Sequence, residues 1–150
     1  MTLDDMLTLR LQIPQTDNMN YTDSFVQIVD TDNIEDFLQI YRYINIASLK
    51  IQGVSIFKNG IKPLTEDAQN TGIRRLKFQA KENPSGVFDH LLQQLISGYL
   101  AIEGVNGIEM KAKGQNFYFF VWVEQQHHLK VKGDIEKDFD CDYVLAQPIV

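Results

Sequence analysis

The stretch VNGIEMKAKGQNFYFFVWVE, residues 105–124, decides the fold: two runs rich in apolar residues, 105–113 and 117–124, are joined across Gly114-Gln115. That spacing predicts two antiparallel strands in a tight hairpin. Working outward, Leu7, Leu9, Leu11 and Ile13 alternate with polar residues until Pro14, which reads as a first strand. Phe25 to Val29, Gly53 to Phe57, Arg74 to Ala80 and Tyr143 to Ala146 read as further strands, with Asn59-Gly60 marking a turn. A helix follows Asp32 or Asn33, where either residue can cap, Glu35 and Asp36 occupy the first turn, and Ile34, Phe37, Leu38, Tyr41 and Ile44 recur at helical spacing. Pro84-Ser85-Gly86 reads as a break, after which Val87, Leu91, Leu92, Leu95 and Ile96 follow the 3.6-residue period of a second helix. Leu129 to Phe139 reads as a short helix. Strands joined by short turns favour an antiparallel sheet, and amphipathic helices need a face to cover, so the fold class is α+β.

At 150 residues the chain is expected to form one domain, 1–150, with a real core. A hydrophobic content of 44% with 11% aromatic residues argues against disorder, and no apolar run approaches the roughly 18 residues of a membrane span. No leader is expected before the first strand, and a single cysteine, Cys141, excludes an internal disulfide. A cytoplasmic protein without a membrane partner is the expectation. Fourteen Lys and Arg against 20 Asp and Glu give a net charge of −6, which excludes bulk coating of a phosphate backbone. Nucleic-acid binding would then require a few cations grouped at one site.

Several residue groups carry little chemistry. Asp138, Asp140 and Asp142 would alternate on one face if extended, but they lack the spacing of a calcium loop. His90, His127 and His128 have no Cys partners at zinc spacing, and Cys141 has no evident base. Neither a phosphate-cradling Gly-rich loop nor a nucleophile elbow is present in the sequence. A metal, a cofactor and an enzymatic activity are therefore not expected.

Two blocks in fixed order carry a resemblance. The first runs from Asn33 to Asp67 and contains NIEDFLQIY, VSIFKNGI and KPLTED; the second, GIEMKAKGQNFYFFVW, runs from Gly107 to Trp122. Together they resemble the core of the translation initiation factor 4E family, whose members bind the 7-methylguanosine cap of messenger RNA. The resemblance implies a strongly curved antiparallel sheet with helices on its convex face. It also implies a cap site, where family members clamp the methylated base between two Trp rings. Methylation leaves the base with a delocalised positive charge, which an aromatic face attracts by stacking and by cation–π interaction. Tyr21 falls on the position of the first ring and Thr65 on that of the second, so one plate is kept and one is lost. Glu66 matches the carboxylate that accepts two hydrogen bonds from the guanine edge. Lys111 matches the phosphate-binding Arg, Lys113 a nearby Lys, and Asn116 replaces the next cation. Phe120 falls on the position of the Trp that touches the cap's methyl group, and Trp122 points to the same side two residues on. Ile34, Leu38, Leu91 and Leu95 fall near the positions that receive an amphipathic helix from the scaffold initiation factor or a 4E-binding repressor.

The expectation is thus a divergent cap-binding factor in translation with Tyr21, Glu66, Lys111, Lys113, Phe120 and Trp122 at its cap site. The alternative is a paralogue with a degraded cap site acting as a protein-interaction module or repressor of translation.

Overall fold

The computed structural model describes residues 2–44, 52–80, 83–139 and 141–148, the side chains of 2, 80 and 141–148 excepted. In chain order its main elements are β1 (Thr2–Gln12), β2 (Phe25–Asn33), α1 (Ile34–Tyr43), β3 (Gly53–Lys58), β4 (Ile73–Ala80), α2 (Pro84–Ser97), β5 (Val105–Lys113), β6 (Asn116–Glu124), α3 (His128–Asp138) and β7 (Cys141–Pro148). The seven strands form one curved antiparallel sheet in the order β2-β1-β3-β5-β6-β4-β7. Among the described residues, no helix is long and apolar enough to cross a membrane.

The alternation in β1 becomes two faces. Leu7 and Leu9 point to the convex side, where they join Val54, Ile56, Leu76, Phe78, Ile108, Met110, Phe119, Val121 and Val123 under the helices. Helix α1 contributes Phe37 and Tyr41 to that core, α2 contributes Phe88, Leu91 and Leu95, and α3 contributes Val131 and Ile135. Strand β6 shows no polar alternation because it is buried on both faces. Its other side, Phe120 and Trp122, packs with Phe57, Ile61 and Ile73 into a smaller second core on the concave face.

Local chemistry fixes the helix ends. Asn33 caps α1 by accepting a hydrogen bond from the Asp36 N–H at 3.0 Å, with acidic residues in the first turn and Arg42 in the last. The Pro84-Ser85-Gly86 segment is not a break before α2 but its first turn. Asn83 caps it, and Pro84 sits at the one end of a helix where a missing N–H costs nothing. The Tyr41 hydroxyl donates to the Asp89 carboxylate and so ties α1 to α2; burial and the Asp89 charge raise this hydroxyl well above its ordinary pKa.

Candidate functional site

On the concave face the strand register sets residues in rows. Lys77, Phe120, Glu109, Ser55, Arg10 and Gln27 lie opposite one another across β4, β6, β5, β3, β1 and β2. The next row places Gln79, Tyr118, Lys111, Gly53, Gln12 and Phe25. Lys111 is the hub of this face. Its ammonium donates to the Tyr21 hydroxyl at 3.2 Å, lies 5.9 Å from the Tyr21 ring and 5.8 Å from the Phe120 ring, and sits 3.9 Å from Glu109. Tyr21 reaches it from a short turn, Tyr21–Ser24, which is fastened where the Ile13 N–H donates to the Ser24 carbonyl and the Ser24 hydroxyl to the Tyr21 carbonyl. The Tyr21 ring stands edge-on to Phe25, and the residue is 42% exposed.

Thr65 and Glu66 are exposed on the loop between β3 and β4. That loop is a fixed structure. Asp67 accepts from the Lys62 and Gln69 N–H groups, both at 2.9 Å, and the Asn70 amide donates to the Lys62 and Leu64 carbonyls. Asn106 at the start of β5 braces it from outside by donating to Asn70 and to the Gln69 carbonyl. Beneath it, Arg10 donates to the Ile61 carbonyl at 3.1 Å; burial lowers its pKa, and the charges of Asp30 and Asp67 oppose that shift. Between this loop and the Tyr21 turn lies a cleft of about 200 Å³ lined by Arg10, Thr22, Phe25, Gln27, Lys62, Pro63 and Leu64. The structure therefore gathers Tyr21, Lys111 and Phe120 and leaves Glu66 on the far loop. Among the described residues Glu66 has no hydrogen-bond or ion-pair partner, and Lys113 is exposed at the hairpin.

Trp122 does not line an open floor. It faces the concave side, but it is 1% exposed, set edge-on to Phe57 and lying under the Arg75 guanidinium. Its indole N–H donates to the Glu109 carboxylate at 2.6 Å. Gly107 is what admits this packing: a Cβ there would stand 2.4 Å from the Phe57 ring. Phe120 is also nearly buried, at 5% exposure, roofed by Arg75, Lys77 and Lys111. Burial raises the Glu109 pKa, against the opposing pull of Lys111, the indole hydrogen bond and Arg75. Sequence reasoning missed Glu109, which reads as one more polar residue in an alternating strand.

On the convex side, Ile34 and Leu38 line a groove of about 410 Å³ between α1 and α2 together with Leu92, Gln93 and Ile96. Leu91 and Leu95 do not. They are 0% and 3% exposed and point into the sheet, because the 88-91-95 stripe of α2 is its core face. The groove stripe of α2 lies one residue further round, with Leu92, itself a core residue at 3% exposure, at the groove floor and the partly buried Ile96 beside it; the acidic Asp89 and basic Arg42 stand at the rim. The helical period carried the signal for both stripes but not which of them met the sheet. Among the described residues, no three His, Cys, Asp or Glu side chains group as a metal site; Asp138 ends α3 rather than lying in a strand. His90 stands 4.0 Å from Asp138 and packs against Phe139.

Solved structures share this fold at low identity. A schistosome eIF4E complexed with m7GpppG and 4E-BP superposes with a TM-score of 0.86 at 18% identity, covering 99% of this chain and 88% of that one. Ascaris suum eIF4E-3 with an m2,2,7G cap gives 0.76 at 22% identity, covering 91% and 82%. The complex of C. elegans eIF4E-3 with the 4E-binding protein Mextli and a cap analogue gives 0.76 at 19%, covering 91% and 83%. No curated protein matches the sequence. The model of the family described as eukaryotic initiation factor 4E matches residues 3–147, which is nearly the whole chain. With the curved sheet, its helix-covered back and the order of both sequence blocks, that match means the chain belongs to the eukaryotic initiation factor 4E family.

Proposed function

We propose that this chain is a cap-binding factor of translation that holds 7-methylguanosine on one aromatic plate and takes an amphipathic helix in the α1/α2 groove. The observation that carries the reading is the junction at Lys111, where one cation meets the Tyr21 hydroxyl and the Phe120 ring, together with an exposed, partner-free Glu66 on the loop whose Lys62, Pro63 and Leu64 face Thr22 and Phe25 across a cleft. In this reading Tyr21 stacks on the charged base, Glu66 accepts from the guanine edge, and Lys111 and Lys113 attract the phosphates. Binding rather than catalysis is the role assigned. A cap analogue is expected to bind more tightly than unmethylated GTP, and GTP more tightly than ATP. Glu66→Ala should abolish the guanine preference, measured by fluorescence titration. Equal binding of GTP and ATP by the unmodified protein would defeat the reading.

Restoring the second plate tests the geometry of the slot. The loop is pinned through Asp67 and Asn70, so a ring at position 65 starts from a fixed backbone. Thr65→Trp is expected to tighten 7-methylguanosine triphosphate by about 1–3 kcal/mol, the worth of one base–aromatic stack. Tyr21→Ala should remove a similar amount. No gain from a folded Thr65→Trp protein would mean that residue 65 does not face the base.

The second reading, a protein-interaction module with a degraded cap site, is favoured by the engagement of Lys111 with Glu109 and Tyr21 and by the missing ring at Thr65. Its surface is the groove of Ile34, Leu38, Leu92 and Ile96. The relatives complexed with 4E-BP and with Mextli support a helix of that class as occupant. Both readings place a partner there, and cap-analogue affinity separates them.

A further inference from the structure

Strand β4 carries two cations onto the concave face, and each leans over a ring of β6. The Arg75 guanidinium lies 4.7 Å from the Phe120 ring and 5.6 Å from Trp122, while the Lys77 ammonium lies 4.6 Å from Tyr118 and 5.9 Å from Phe120. In both cases the closer ring is the diagonal neighbour rather than the residue directly opposite. Across β6, Lys111 stands directly opposite Tyr118. The partly exposed Tyr118 ring therefore has the Lys77 ammonium over it and Lys111 as its neighbour in register on the other strand, the Lys111 ammonium being turned toward Phe120 and Tyr21; the two strands that bear the lysines are about 10 Å apart at two strand spacings. Gln79 and Asn116 close the row as neutral amides, hydrogen-bonded to each other at 3.1 Å. Between Lys113 and Arg75, the concave face of β4, β5 and β6 carries one carboxylate among the described residues, Glu109, and that one is buried. In a chain of net charge −6, this is a local concentration of positive charge.

We propose that Lys77, Tyr118 and Lys111 form a subsite for the single-stranded RNA that follows the cap, one base stacking on Tyr118 and the phosphates on either side of it meeting the two lysines. This rests on the cap-binding reading for the direction of the strand, which leaves the phosphates at Lys111 and continues toward β4. An exposed cation–π contact is weak, so a phosphate can draw the Lys77 ammonium off the Tyr118 ring and leave that face to a base. The combination selects the ligand. An acidic peptide would use the lysines through its carboxylates alone, whereas linked nucleotides alternate a planar base with a phosphate and so use the ring and both lysines. Lys is suited to this role because it meets phosphate as a mobile point charge, without a fixed fork.

The test compares three probes at several salt concentrations: 7-methylguanosine triphosphate, a capped RNA decanucleotide, and the same decanucleotide uncapped. The unmodified protein is expected to bind the capped decanucleotide roughly three- to tenfold more tightly than the cap analogue. Lys77→Gln should remove most of that gain, lower the salt slope by about 0.7, and leave the cap analogue unchanged. Lys77→Arg should restore the affinity, and Tyr118→Leu should reduce it at an unaltered salt slope. If the capped decanucleotide binds no better than the cap analogue, or if Lys77→Gln weakens both alike, the subsite is overturned. Failure of the cap analogue to bind, with Lys77-dependent binding of the uncapped decanucleotide, would overturn the cap reading and keep the RNA subsite. If neither RNA binds, the subsite falls whatever the cap analogue does.

Discussion

Trp122→Ala is expected to cost about 3–5 kcal/mol of folding stability, read as a lower urea midpoint. Among the described residues it is the largest of the fully buried side chains, and it anchors the small concave core of Phe57, Ile61, Ile73 and Phe120. Its removal opens a cavity under Arg75 and strips Glu109 of its one indole donor. Trp122→Phe separates the two effects: the ring contact with Phe57 is largely kept, the hydrogen bond is lost, and the cost should fall to about 1–3 kcal/mol. The Glu109 carboxyl adds a pH dependence whose sign follows from its raised pKa. Folded protein holds that proton more tightly than unfolded protein does. Glu109 therefore destabilises the fold progressively as pH rises through the ordinary carboxylate range to its own folded value, and not below that range. Relative to Glu109→Gln, the unmodified protein should lose stability with rising pH over that window. A Trp122→Ala protein within about 1 kcal/mol of the parent would show that the concave cluster is not a second core.

The hairpin at residues 105–124 and the cap of α1 were legible because each is a local matter. Turn residues, alternation and an Asn ahead of two acids act within a few positions, and the observed register joins Lys113 to Asn116 as the Gly114-Gln115 spacing requires. The start of α2 was misread because Pro and Gly mark turns as often as first helical turns, and only the Asn83 side chain bonding to the Gly86 N–H distinguishes them. The Trp122–Glu109 pair was out of reach for another reason. The two are diagonal neighbours across β5 and β6, and a register shift between Val105 and Gly107 lies beside them, so no spacing rule connects them. The lean of Lys77 and Arg75 over β6 needed the pairing of β4 with β6, strands separated by a helix and by β5 in the chain. Residues at the candidate site came from the likeness of two sequence blocks, with Tyr21 placed by counting back from the first of them, and what that likeness could not supply was which of them already hold each other.

The core stripe of α2 and the groove-lining stripe of α1 make the remaining large effect. Leu91→Ala is expected to cost about 2–5 kcal/mol, since the side chain is wholly enclosed between α2 and the sheet and the site cannot collapse without moving the helix. Leu38→Ala, on α1, should cost less than about 1 kcal/mol, because Leu38 is only partly buried and lines the groove that a partner helix would fill. Binding should reverse the ranking. A synthetic amphipathic helix of the 4E-binding class is expected to lose affinity for Leu38→Ala by tenfold or more, as an anchor in the middle of a groove does when truncated. Leu91→Ala, at a temperature where it remains folded, should bind nearly as well as the parent, because its side chain never reaches the groove surface. Calorimetry of both proteins with the same peptide reads the two quantities together. Equal stability losses for the two substitutions would assign Leu38 to the core with Leu91, and the groove would then have to be held by Ile34, Leu92 and Ile96 alone.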